Sequence, residues 1–375
     1  VAGYSYSSNY PTTAGVYQRN RRGGSDAFVT RFAANGTTLV FSTFLGGSQD
    51  DMVWKVAVDA GLQTIVAGTT FSSNFPTKTA FQTQNGGGGD GWVARLNNTG
   101  KTLVFASYAG GAAYDWVQSF HFDSSTGIAT FGGGTLSSNF PVTANAWQST
   151  YGGGGTLNRG DAWVVQVNSA GQRLYASYLG GSDDEFTCGM HASGTTITLA
   201  VITHSNNLPT TANAFQPAHS PSPVSSDVYV ARLVRGGTST SLAYATFFGG
   251  AADEWSFACQ VDATSGVITI AGGGRAGPTT PGALKTTMDG STDAYVSRLD
   301  PTKLGTAQLV YSTLLGGSDY DNGLAMRIDD AGFAVVTGWT KSTDFPTTAT
   351  TALQTVFGGG SGTPNVCGCT PPTCA

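Results

Sequence analysis

Five acidic residues recur at one place in this sequence: Asp51, Asp115, Glu185, Glu254 and Asp321 each stand four residues beyond the second glycine of a Gly-Gly pair. Further acids accompany them, namely Asp50, Asp183, Asp184, Asp253 and Asp319. Carboxylates gathered in loops with backbone carbonyls are calcium chemistry. The five are therefore candidate calcium ligands, and calcium is the one cofactor these residues suggest. A structural reading competes with it. Each carboxylate could accept N–H bonds within its own turn, or pair with the recurrent Arg31, Arg95, Arg232 and Arg298. The third copy has Gln166 in place of that arginine and keeps its acid, so ion pairing is not the acid's only role. The spacing matches no EF-hand loop.

A second acid, Asp59, Asp123, Asp262 or Asp329, precedes a glycine-containing bend and reads as an Asx-type turn former. Of four histidines, His121 and His191 share one position, ten residues past the second glycine, where the other copies carry Ala57, Gln260 and Arg327. Side by side in neighbouring sheets, the two imidazoles would offer a metal or acid–base pair; the plainer reading is a polar strand face. His204 and His219 fall in a less regular stretch. Cys188, Cys259, Cys367, Cys369 and Cys374 are disulfide candidates, the last three in a tail, CGCTPPTC, that lacks zinc or haem spacing. Asn35 and Asn97 open N-x-T triplets at turns and are glycosylation candidates. No nucleophile elbow, phosphate loop or dinucleotide fingerprint is present, and the Asp box of sialidase-like propellers is missing. Gly86–Gly89 and Gly152–Gly155 lack the lysine and strand–helix setting of a phosphate site and read as flexible connectors.

The elements that must position these residues form a repeat. An anchoring Asp opens it at Asp26, Asp90, Asp161, Asp227 and Asp293, at intervals of 64, 71, 66 and 66 residues. Each unit holds four strand-like segments. The first, as in DAFVTRF, ends in a hairpin-type turn such as AANG or NNTG; the second, as in LVFSTFLGG, ends in the glycine pair. The third carries the turn acid and the fourth, as in TIVAGTT, is almost wholly apolar or small. Runs apolar on both faces predict strands buried between neighbouring sheets. A long connector follows, with an aromatic-Pro step and then an aromatic-Gln step: Tyr10-Pro11 and Tyr17-Gln18, Phe75-Pro76 and Phe81-Gln82, Phe140-Pro141 and Trp147-Gln148. Each proline reads as a strand terminator and each aromatic as a plug between sheets.

Four antiparallel strands per unit and one long crossover between units predict an all-β fold, a β-propeller of five four-stranded blades, or six with the last incomplete, from repeats of about 65 residues. The expected divisions are a lone fourth-type strand and connector at 1–25, blades at 26–89, 90–160, 161–226, 227–292 and 293–357, and a Gly/Pro/Cys-rich tail at 358–375. The fourth strand occurs six times, because the chain begins with a copy of it, so one strand is left over, either Val1–Ser5 or Ala334–Thr340. That surplus predicts an incomplete blade, a lone strand packed elsewhere, or donation to a neighbouring molecule.

DAFVxR, LVYSTxLGGS, AVDxxG and TxSSxFPTT resemble the bacterial propeller repeat called the SBBP family, over Val1 to about Phe357. The resemblance implies a propeller and an association with secreted or surface proteins. Composition sets further bounds. Charged residues are only 11% and the net charge is −5, with no basic stripe beyond Arg19, Arg21 and Arg22, which excludes nucleic acid as a partner. No run of 18 apolar residues is present to span a membrane. No signal peptide precedes VAGYSYSS, which suggests a processed or trimmed chain. The resulting expectation is a secreted, non-enzymatic structural or adhesive module forming a homo-oligomer or polymer by strand donation from a terminus. The alternative is a propeller that binds or cleaves a glycan through the turn acids and exposed Trp92, Trp147 and Trp163.

Overall fold

The computed structural model describes residues 1–155, 157–220 and 225–359, and the described residues are all-β with one 3-10 turn among them, at Gly305–Gln308. Four sheets have four antiparallel strands each. The first is β4 (Asp51–Val58), β5 (Thr64–Thr70), β6 (Asp90–Leu96) and β7 (Leu103–Ala109). The next comprises β8 (Asp115–Asp123), β9 (Ile128–Thr135), β10 (Asp161–Val167) and β11 (Arg173–Leu179). Then come β12 (Glu185–Ser193), β13 (Thr196–Thr203), β14 (Asp227–Arg235) and β15 (Thr240–Phe248), followed by β16 (Glu254–Val261), β17 (Ile268–Gly274), β18 (Asp293–Leu299) and β19 (Leu309–Leu315). The chain ends make two partial sheets. One holds β1 (Ala2–Ser5), β2 (Asp26–Phe32) and β3 (Leu39–Leu45); the other holds only β20 (Asp321–Ile328) and β21 (Ala334–Thr340).

Successive sheets pack face to face through the strand that opens each. β8 lies on β4, β5 and β6; β12 on β8, β9 and β10; β16 on β12, β13 and β14; β20 on β16, β17 and β18; and β4 on β1 and β2. The opening strands β4, β8, β12, β16 and β20 line one common channel. The second strands lie deepest. β5, β9 and β17 are buried along their whole length, as sequences apolar on both faces require.

The sheets are phased differently from the expected divisions. Each starts at the third segment of one unit and closes with the second segment of the next, so the boundaries at 89, 160, 226 and 292 fall inside sheets. The long connector, expected between blades, instead joins the second and third strands of one sheet. Its role there is to cover the sheet's outer edge: Lys78 exchanges both backbone hydrogen bonds with Ala106 of β7, at 2.9 and 2.8 Å. An outermost strand left bare would invite edge pairing. The glycine stretches in these connectors are not slack. A Cβ on Gly86 would fall 2.3 Å from the carbonyl oxygen of Gly111, so the backbones touch where only glycine fits. Nor is the N-terminal strand alone: β1 pairs with β2 from Ala2 opposite Val29 to Ser5 opposite Asp26. The strand left without a second neighbour is β21.

Candidate functional site

The turn acids open the channel-lining strands and are buried there. Asp51 accepts from the Gly47 N–H at 2.6 Å, the Ser72 hydroxyl at 2.9 Å and the Thr70 hydroxyl. Asp115 repeats this with Gly111, Ser137 and Thr135, and Glu185 with Gly181 and Thr203. Glu254 accepts from Gly250 and Ala276, and Asp321 from Gly317 and Ser342. The arginines go elsewhere, since Arg95 pairs with the Asx-turn acid Asp59 and Arg31 reaches the Asn98 carbonyl. The anchoring Asp stands across the first glycine of each pair: a Cβ on Gly46 would lie 2.6 Å from Asp26 Cγ and 2.8 Å from Asp51 Oδ2. Burial is the chief cause that pushes the Asp51 and Asp115 carboxyls up to about 6 and those of Asp90, Asp161, Glu185 and Glu254 up to about 7.

A calcium ion does not fit this set. All of these carboxylate oxygens but Asp321 Oδ1 already face hydroxyl or N–H donors, and a cation needs those same lone pairs. Among the described residues, no three His, Cys, Asp or Glu side chains are placed to share an ion. The acids seal the start of each sheet.

The Asx-turn reading holds at Asp59, Asp123, Asp262 and Asp329, whose side chains accept from Gln63, Ser125, Thr264 and Ala331 N–H groups. Cys188 and Cys259 are both buried; Gln118 donates to Cys188 Sγ, and burial pushes the Cys259 thiol to about 12. The other three cysteines lie outside the described residues. Asn35 is exposed and Asn97 half-buried, with the Asn97 oxygen accepting from Lys101 and Thr102 N–H groups.

Two cavities divide the channel. One, of about 570 Å³, is polar and includes Lys55, His121, His191, Gln260 and Arg327. The imidazoles of His121 and His191 do stand together, ring centres 4.4 Å apart, and burial depresses both, His191 to about 4, so both are neutral at pH 7. Asp123, the nearest acid in sequence, is turned toward the Gly194 N–H.

The other cavity, of about 380 Å³, is aromatic, walled by Phe186, Trp255, Phe257, Tyr320 and Trp339 with Ile202. Its polar residues are few. The Arg159 guanidinium lies 5.0 Å from the centre of the Phe186 ring and makes no ion pair among the described residues. Asn322 is buried, and its Oδ1 has no hydrogen-bond partner; the same holds for His204 Nδ1 and Trp339 Nε1. Buried polar atoms are almost always satisfied, so three exceptions around one apolar cavity mark it out. None of these residues stands out by sequence motif. Phe186, Trp255 and Asn322 do share one repeat position, five residues past the glycine pair, where Met52 and Trp116 also sit. Variation at that position was the available signal.

No protein-family model and no curated protein matches the chain. Among solved structures it is similar to a chimera of apocarotenoid oxygenase and RPE65, at 11% identity and TM-score 0.30, over 84% of this chain and 78% of that one. It is also similar to a mutant of the Synechocystis apocarotenoid oxygenase, at 8% identity and TM-score 0.26, over 90% and 77%. At these TM-scores the likeness assigns no chemistry to this chain. A named oxygenase stands among these neighbours, and the expectation of a secreted, non-enzymatic structural or adhesive module is withdrawn. The glycan alternative also loses its aromatics, because Trp92 and Trp163 are fully buried and Trp147 is packed against the core.

Proposed function

We propose that the chain is a propeller-type binding protein. Its ligand is a small, flat, largely apolar molecule with an anionic or hydrogen-bond-accepting end, held between β12, β16 and β20. The observation that carries this reading is the aromatic cavity lined by two uncommitted donors, the Trp339 Nε1–H, which has no partner, and the Arg159 guanidinium. Apolar walls with a few convergent polar groups are the usual form of a small-molecule site. The resemblance to SBBP repeats supports the propeller part of the reading, and closure of the sheets into a ring belongs to the same proposal.

Anilinonaphthalene sulfonate is a suitable probe, having a flat aromatic body and one anionic group. Titration should give a saturable one-to-one enhancement of its fluorescence. Trp255→Ala and Arg159→Gln should each weaken binding about tenfold, the scale of losing one ring or cation contact of about 1–2 kcal/mol. Isotherms unchanged in both variants would sink the reading.

A further inference from the structure

β21 is built to have a neighbour it lacks. Its counterparts β5, β9 and β17 are buried end to end, yet β21 is exposed at Ala334, Val335, Thr337 and Gly338. In every complete sheet the free edge of that strand carries a strand opening with the anchoring Asp.

Three features specify the missing strand. In the connectors, Gln18, Gln82, Gln148 and Gln216 each donate to that Asp, at 2.6 to 3.2 Å, and Lys285 pairs with Asp293 at 2.8 Å. Gln354, at the same place after β21, keeps the local bond to a carbonyl two residues on and has no Asp. Beside it Leu353 is fully exposed, as Leu284 largely is, whereas Tyr17, Phe81, Trp147 and Phe215 pack on the core. Finally, β21 carries Gly338 where Gly3, Gly68, Gly133 and Gly272 lie opposite an aromatic residue: Phe28, Trp92, Trp163 and Tyr295.

We infer that the edge of β21 binds β2 of a second copy of this chain, displacing that copy's β1. Aligned on the complete sheets, β21 would set Thr340 opposite Asp26, Gly338 opposite Phe28 and Thr337 opposite Val29. That makes seven register pairs where β1 makes four, and it places Asp26 at Gln354. Within one chain β2 is already paired with β1 and belongs to a different sheet from β21, so the partner of β21 is assigned to a second copy. The contact joins the end of one copy to the start of the next, so it is heterologous and builds rings or open chains.

The test uses two full-length chains, one bearing Val29→Cys and the other Thr337→Cys, distinguished by isotope label and mixed under mild oxidation. Directly opposed antiparallel residues lie within disulfide reach. Mass spectrometry should find the peptide containing position 29 of one label joined to that containing position 337 of the other, with dimers and larger species by light scattering. A link that forms only in a doubly substituted chain and stays within one copy would show self-closure and overturn the proposal. Absence of the link in both samples would show that β1 keeps its place, with the same consequence.

Discussion

Asp90 Oδ2 accepts from the Gly86 N–H at 2.8 Å and from Gln82 Nε2 at 3.1 Å, while Oδ1 has no partner and faces Asp115 across Gly110. Burial first, and the Asp115 charge with it, push the Asp90 carboxyl to about 7. A carboxyl raised on folding favours the protonated form. Its cost is absent below its ordinary value near 4, grows as pH rises to about 7, and is constant above. Asp90→Asn keeps an acceptor for Gly86 and removes the charge. It should therefore stabilise the protein by about 1–2 kcal/mol at pH 8 and make little difference at pH 4. His121, His191 and His204, all lowered by burial, destabilise in the opposite direction as pH falls below 6.5. They are common to both proteins and cancel in the difference. Denaturant melts of parent and variant at the two pH values decide it, and an equal difference at both would refute the assignment. Each acid was visible in the sequence as a recurrent residue. Their pairing was not, because the partners lie 25 residues apart, as at Asp26 and Asp51, and only the glycine between them brings them together.

At the scale of elements, segment type was legible and phase was not. Alternation, apolar runs and hairpin turns located the strands. A repeat read along a line, however, has no marked beginning, and the longest connector was the natural place to cut. Only the edge pairing of Lys78 with Ala106 shows why that connector stays within a sheet. The glycine in the second strand has an equally specific cause. A bulge in the opening strand drives a carbonyl toward it, so a Cβ on Gly133 would lie 1.8 Å from Trp116 O and one on Gly338 1.8 Å from Asn322 O. Gly133→Ala should cost about 3 kcal/mol or more of global stability, as backbone overlap in a packed sheet does. Gly338→Ala meets the same overlap, but in an unassembled copy β20–β21 is held on one side only and can part locally. Its effect on the main thermal transition should be less than half as large; equal shifts would show that the half-sheet unfolds with the rest.

For the whole molecule, counting strands was enough to predict that one would be surplus, and the structure identifies which: β21, with its connector, rather than β1. The half-sheet is at once the least supported part of the array and a wall of the aromatic cavity, to which Tyr320, Asn322 and Trp339 belong. Elements with few buried contacts open at low free energy, so in a single, unassembled copy the backbone amides of β20–β21 should exchange with solvent far faster than those of β5, β9 and β13. A ligand that binds only the assembled cavity must stabilise the closed half-sheet by the same free energy with which the closed half-sheet favours the ligand. At a probe concentration about 100 times its Kd that is about 2.7 kcal/mol, or roughly a hundredfold slowing of exchange. Hydrogen-exchange mass spectrometry with and without anilinonaphthalene sulfonate should therefore show added protection in residues 320–340, with β5 and β9 unchanged. Protection spread evenly over all the sheets would mean that the half-sheet does not move independently. Binding with no added protection there would place the probe outside the cavity.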